Sequence, residues 1–147
     1  MSLESWLTDK FIDIHRPSAR EIAELLTICD RDIEKSRIIE LGPDWQLGIA
    51  YNAALQAAIA ALAAAGYRAT GEGHHYRAIQ SLTYTIKAEP AIIKQLDRFR
   101  QKRNISDYER VGMVTEQEAA AMISLAEKLR SMVSEWLKKN HPDLIQE

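Results

Sequence analysis

Residues 45–66, WQLGIAYNAALQAAIAALAAAG, hold ten alanines in the sixteen positions from Ala50 to Ala65. Alanine loses no rotamer freedom in a helix, so this run favours helix more strongly than any other part of the chain. Leu55, Ile59 and Leu62 recur at spacings of four and three and mark one apolar edge. The alanines between them let neighbouring helices approach on several sides. The segment is therefore expected to be the central helix of a bundle, or a helix in a subunit interface. Asp44 is a candidate N-cap, and Gly66 is the expected left-handed stop. The apolar run 57–66 is too short and too rich in alanine to span a bilayer. Tyr51, Asn52 and Gln56 are the polar exceptions. Asn52 and Gln56 share a face at i, i+4, which is either an exposed edge or the lining of a polar cleft.

Outward from this helix the chain keeps helical periodicity. On the N-terminal side, Ser18-x-x-Glu21 has capping-box spacing after Pro17. Ile22, Leu25, Leu26, Cys29 and Ile33 then form a buried stripe that fades near Ile39, before a turn at Gly42-Pro43-Asp44. Cys29 lies on the stripe and reads as core filler. Residues 3–12, with Trp6, Leu7, Phe11 and Ile12, predict a short amphipathic turn or helix that lies on the bundle as a lid.

On the C-terminal side, Tyr67–Gly73 is a loop by its glycines. His74-His75 open a helix expected to reach about Lys87, with Ile79, Leu82 and Ile86 inward. Pro90 suits the first turn of the next helix, which runs from Ala91 to Asn104 or a few residues beyond. A short connection, Glu109–Val114, leads to Thr115-x-x-Glu118, a second capping-box spacing. The last helix extends to about Lys139, with Ala119, Met122, Ile123, Ala126, Leu129, Met132, Val133, Trp136 and Leu137 inward. No strand-like alternation is found. Five substantial helices with short links predict an all-α, up-and-down helical bundle in a single domain, residues 1–147. Residues 1–17 would be an N-terminal extension and 141–147 a tail.

The net charge of −2 hides an asymmetry. Residues 91–110 carry six Lys/Arg against three Asp/Glu, and the remainder 13 against 18. A basic patch on an acidic body points to one anionic contact site. On a helix, Ile92, Leu96, Phe99 and Arg103 fall on one face, so Arg103 stands where a fifth apolar residue is expected. An inward guanidinium is costly unless an anion meets it. Either Asp107, four residues on, supplies an ion pair, or Arg103 faces a cleft and binds phosphate through its planar fork.

Arg-x4-6-His near a helix end, often with Asn directly after the Arg, is the signature of the HEPN superfamily (higher eukaryotes and prokaryotes nucleotide-binding). Arg103-Asn104 resembles its start, and the alanine-rich helix with Tyr51-Asn52 and the Gly-His-His segment are similar to stand-alone bacterial members. The resemblance spans about Ser18 to Trp136. It implies a small HEPN-like bundle, usually a homodimer. It also implies a metal-independent ribonuclease site in which the Arg holds the scissile phosphate and the His assists proton transfer from the 2′-hydroxyl. Toxin–antitoxin and defence systems are the settings it implies. Some HEPN-like proteins instead partner a small nucleotidyltransferase as non-enzymatic subunits.

Here Tyr108 occupies the His position. A phenol, which ordinarily titrates near ~10, is a poor base at neutral pH. Binding of RNA or nucleotide survives that change better than cleavage does. His75 lies fifteen residues before Pro90 and Arg103 thirteen after it, so in an antiparallel helix pair both sit about 20 Å from the turn. His74 or His75 is thereby a candidate replacement for the missing base. The expected site is Arg103, Tyr108 and His75 for catalysis, with Arg100, Lys102, Asn104, Asp107 and His74 in binding. No cofactor is expected. The adjacent histidines point in different directions and make a poor metal site. A single cysteine and the absence of a signal-like apolar run at the N-terminus predict a cytoplasmic protein with no membrane partner.

Overall fold

The computed structural model describes residues 2–108 and 112–145, and for 105–108 the backbone alone. Six helices carry the fold: α1 (Leu3–Thr8), α2 (Ala19–Ser36), α3 (Pro43–Ala64), α4 (His74–Ser81), α5 (Pro90–Tyr108) and α6 (Glu116–Asn140). The protein is an all-α helical bundle, as the periodicity predicts.

Helix α3 is the centre. Thirteen of its residues are buried, including Ala50, Ala53, Ala57, Ala58, Ala60 and Ala61 at zero exposure. It packs most extensively on α2 and α6, and α4 and α5 close its remaining sides. A helix that is apolar all round needs neighbours all round. By length and composition α3 could cross a membrane, which residues 57–66 alone do not suggest, but 72% of the relevant window is buried inside the protein. The stripes of α2 and α6 meet it as expected: Ile22, Leu26, Cys29 and Ile33 from one side, Met122, Ala126, Leu129, Val133 and Leu137 from the other. Burial pushes the Cys29 thiol up to about 12, which suits a core filler.

Both capping signals mark true helix starts. Ser18 Oγ accepts from Glu21 N, and Thr115 with Glu118 forms the full reciprocal pair. At Ser18 the second half is missing, because the Glu21 carboxylate turns to His15 Nε2, at 2.7 and 2.8 Å. Gly66, at φ +99°, turns the chain after α3.

Three expectations are corrected. Asp44 does not cap α3: Pro43 is its first residue and Gly42 its cap. Its carboxylate instead accepts from the amides of Gly112 (2.7 Å) and Val114 (3.3 Å), tying the connection before α6 to the start of α3. Helix α4 stops at Ser81 rather than near Lys87. The hydroxyls of Ser81 and Thr85 bond back to Ala78 O and Ser81 O, and Lys87 turns left-handed at φ +56°. Hydroxyl side chains offer the backbone such non-helical partners. The third correction is a two-stranded antiparallel ladder, β1 (Ile12–Ile14) with β2 (Tyr67–Ala69), pairing Ile12 with Ala69 and Ile14 with Tyr67. Three residues are too few to show alternation.

The N-terminal segment lies on the bundle, as its amphipathic pattern predicts. Trp6 and Ile12 are buried, Trp6 meets Tyr84 edge-on at 5.2 Å, and the Arg77 guanidinium lies 4.0 Å from the Phe11 ring centre and 4.8 Å from that of Trp6. Arg77 thus anchors the segment to α4 by cation–π contact.

Candidate nucleotide-binding end of the bundle

Helix α5 buries Ile92, Leu96 and Phe99 against the core, and Arg103 continues that face, half-buried, as its spacing predicts. Its guanidinium carbon lies 5.6 Å from the centre of the Tyr51 ring on α3. Tyr51 is itself 1% exposed. Burial pushes its phenol up to about 12, against the opposing pull of Arg100 and Arg103. It stays protonated at neutral pH, and its hydroxyl meets no hydrogen-bond partner among the described residues.

His75 comes to the same end. Its pKa is lowered below the ordinary 6.5, first by burial, then by His74 and by the positive charges of Arg103 and Arg100. A half-buried imidazole that feels both guanidiniums is neutral at pH 7 and able to accept a proton. The shortened α4 does not separate the two sides. The turns after Ser81 bring α5 back alongside α4, with Arg100 Cζ 5.5 Å from the Tyr76 ring centre.

The other predicted residues divide. Arg100 joins the group, held by Asp97 Oδ1 at 2.8 Å. Lys102 Nζ lies 3.4 Å from Glu118 Oε2, so it braces the capping box of α6. Glu118 is correspondingly held below the ordinary carboxylate value, chiefly by the Thr115 amide and then by Lys102. Asn104 is half-buried beside Arg103 in sequence. His74 is exposed. It bonds Gly71 O through Nδ1 at 3.2 Å and lines a separate cavity with His15 and Glu21, while its ring touches that of His75 at 4.3 Å. The side chains of Asp107 and Tyr108 lie outside the described residues, so the Asp107 ion pair and the role of Tyr108 are left as expectations. Among the described residues no three His, Cys, Asp or Glu side chains form a group that could hold a metal ion.

Arg103 also lines a cleft of about 300 Å³ between α2 and α3, together with Asp32, Lys35, Asp44, Trp45 and Asn52. Of the two readings of Asn52 and Gln56, the polar cleft holds for Asn52, while Gln56 is half-buried and does not line it. Asn52 Nδ2 donates to Asp32 Oδ2 at 2.7 Å, and Gln56 donates to Asn52 at 3.3 Å. Asp32 was missed by sequence reasoning. It is 7% exposed, three residues after Cys29 on the buried side of α2. A charge on a buried face is the signal that singled out Arg103, and it was there to be read at Asp32 too. Trp45 had no such signal, since nothing in its spacing says that it stays exposed. No model of a known protein family matches the chain, and no curated protein matches it.

Proposed function

We propose that this is a HEPN-like protein that binds RNA or a nucleotide phosphate through Arg103, Arg100 and His75, against Tyr51. The observation that carries this is the Arg103 guanidinium on the core-facing stripe of α5, 5.6 Å from the Tyr51 ring centre, with Arg100 set against Tyr76, the neighbour of His75 in α4. A phosphate set among them would meet two fork-shaped donors and a group able to take a proton. In the ribonuclease form of this reading, His75 accepts the proton of the 2′-hydroxyl. The 2′-oxygen bonds to the adjacent phosphorus, Arg103 holds the non-bridging oxygens, and the 5′-oxygen leaves with its bonding pair and takes a proton from water to become a 5′-hydroxyl. The product is a 2′,3′-cyclic phosphate. His75 would stand in for the histidine that Tyr108 replaces, and the activity is that of a weak or lapsed ribonuclease. We place the protein in the cytoplasm, as a homodimer in a toxin–antitoxin or defence system, following the resemblance.

Titration of labelled single-stranded RNA at rising salt tests the binding. Affinity should fall steeply with salt, and Arg103→Ala should weaken it at unchanged helix content. Cleavage in the presence of a chelator, lost in His75→Ala and in Arg103→Ala, tests the chemistry. Salt-independent or absent RNA binding would overturn the reading.

A second reading has a specific support. Ile38 and Ile39, 40% and 80% exposed, and Leu41 form apolar surface at the α2–α3 connection, of the kind that docks proteins. A non-enzymatic subunit that partners a small nucleotidyltransferase would use such a surface. It would show no RNA affinity of its own.

A further inference from the structure

We infer that Trp45 is a base-stacking platform, and that the cleft between it and Arg103 binds a nucleoside monophosphate unit. This rests on the reading of Arg103 as a phosphate ligand and adds the rest of the ligand to it.

Trp45 is 69% exposed, although it opens the most buried helix of the fold. Leu47, about half a turn on, and Ala50 and Tyr51, about a turn and a half on, are buried, so the core ends before Trp45 and the indole stands outside it. An indole left in water forgoes the largest apolar burial any side chain offers. A ligand face would recover it. Aromatic side chains stack on any nucleobase, because every base has a π-face.

The remaining lining fits the other parts of a nucleotide. Asp32 and Asn52, joined at 2.7 Å, put an acceptor and an amide side by side in the cleft. Each carboxylate oxygen has room for a second donor, such as a ribose hydroxyl or an exocyclic amine. Lys35 makes no ion pair among the described residues and lines the same space. Arg103 is the fork for phosphate.

The charges also argue against a plain anion. The cleft holds two carboxylates, Asp32 and Asp44, beside its two cations. Asp44 is engaged by the Gly112 and Val114 amides, and Asp32 by Asn52 and by Arg31 Nε at 2.9 Å. A bare phosphate would gain little from such a balanced set. A ligand with one anionic end and a large neutral aromatic part suits it. A volume of about 300 Å³ belongs at the small end of ligand clefts and accommodates one such unit.

The source of that unit is either a free nucleotide or one residue of a single strand, and the same titration separates them. Trp45 is the most exposed of the three tryptophans, since Trp6 is buried and Trp136 half-buried. Fluorescence of the full chain would be followed with adenosine 5′-monophosphate, ribose 5-phosphate and a short oligoadenylate. Saturable quenching by the monophosphate or by the oligonucleotide is expected, and much less by ribose 5-phosphate. Tighter, salt-steep binding of the oligonucleotide identifies a strand, and equal binding identifies a free nucleotide.

Trp45→Ala, at a surface position that leaves the fold intact, should weaken binding about tenfold, followed by calorimetry, and Trp45→Phe should restore most of it. If Trp45→Ala binds as well as the parent while Arg103→Ala does not, the stacking inference fails and the phosphate reading stands. If no probe binds, or Arg103→Ala binds unchanged, the phosphate reading fails and takes the inference with it.

Discussion

Arg103 on α5 lies with its guanidinium carbon 5.6 Å from the ring centre of Tyr51 on α3, so the most basic helix is joined to the most apolar one at the candidate site. The contact explains how a charge can sit on a core-facing stripe. The ring offers its electron-rich face where a fifth apolar residue would otherwise lie.

The Tyr51 hydroxyl adds nothing visible to that contact. It is buried, and no described group bonds to it. A buried hydroxyl without a partner costs about 1–3 kcal/mol. Tyr51→Phe keeps the ring and should therefore raise the melting temperature by a few degrees, or leave it unchanged, in a thermal scan. Tyr51→Leu, which removes the ring, should lower it. A clear loss of stability in the Phe variant would mean that the hydroxyl has a partner.

Asp44 holds two backbone amides of the α5–α6 connection, one on each carboxylate oxygen. Asn at this position keeps one acceptor oxygen and loses the charge. Asp44→Asn should cost about 1 kcal/mol, and hydrogen exchange should quicken at Gly112 or Val114 while the α3 amides stay protected. Equal exchange at both positions in the two proteins would show that the pair of bonds is incidental.

How far the sequence was legible follows the length of each signal. The stripes of α2, α5 and α6 extend over three or more turns, and their period carries through to the core. The β1–β2 ladder and the early end of α4 were not legible, because three residues carry no period and the hydroxyls of Ser81 and Thr85 act through local bonds. In the candidate site, Arg103 could be found because it interrupts an apolar stripe. The Asp32–Asn52 pair needed the register between two helices, which no single-helix pattern contains. Asp44 looked like a cap because a cap and a long-range acceptor ask for the same residue type.

The alanines of α3 serve close packing, and that too can be measured. Ala57 is fully buried. Ala57→Leu adds three carbons where α3 meets its neighbours, and overpacking of that kind costs about 1–3 kcal/mol. Denaturant midpoints should fall accordingly, although leucine forms helix nearly as well as alanine. Ala65→Leu, just past the helix end and half-buried, should be nearly neutral by the same assay. Equal effects at the two positions would show that close approach of the neighbouring helices does not account for the alanine run.

His75 gives the pH dependence. Its folded pKa lies below the 6.5 of an unfolded chain, so between those two values the unfolded state binds more protons. Stability contributed by the neutral imidazole is present above 6.5 and declines as pH falls from there to the folded value, below which it changes no further. The melting temperature of the parent should drop more between pH 7.5 and 5.5 than that of His75→Gln, with the other histidines common to both. A bound phosphate reverses the balance, because it favours the protonated ring that the two guanidiniums disfavour. Adding single-stranded RNA should therefore raise the His75 pKa in an NMR titration, and RNA should bind more tightly at lower pH by the same linkage. An imidazole whose titration is unmoved by RNA would place His75 outside the binding site.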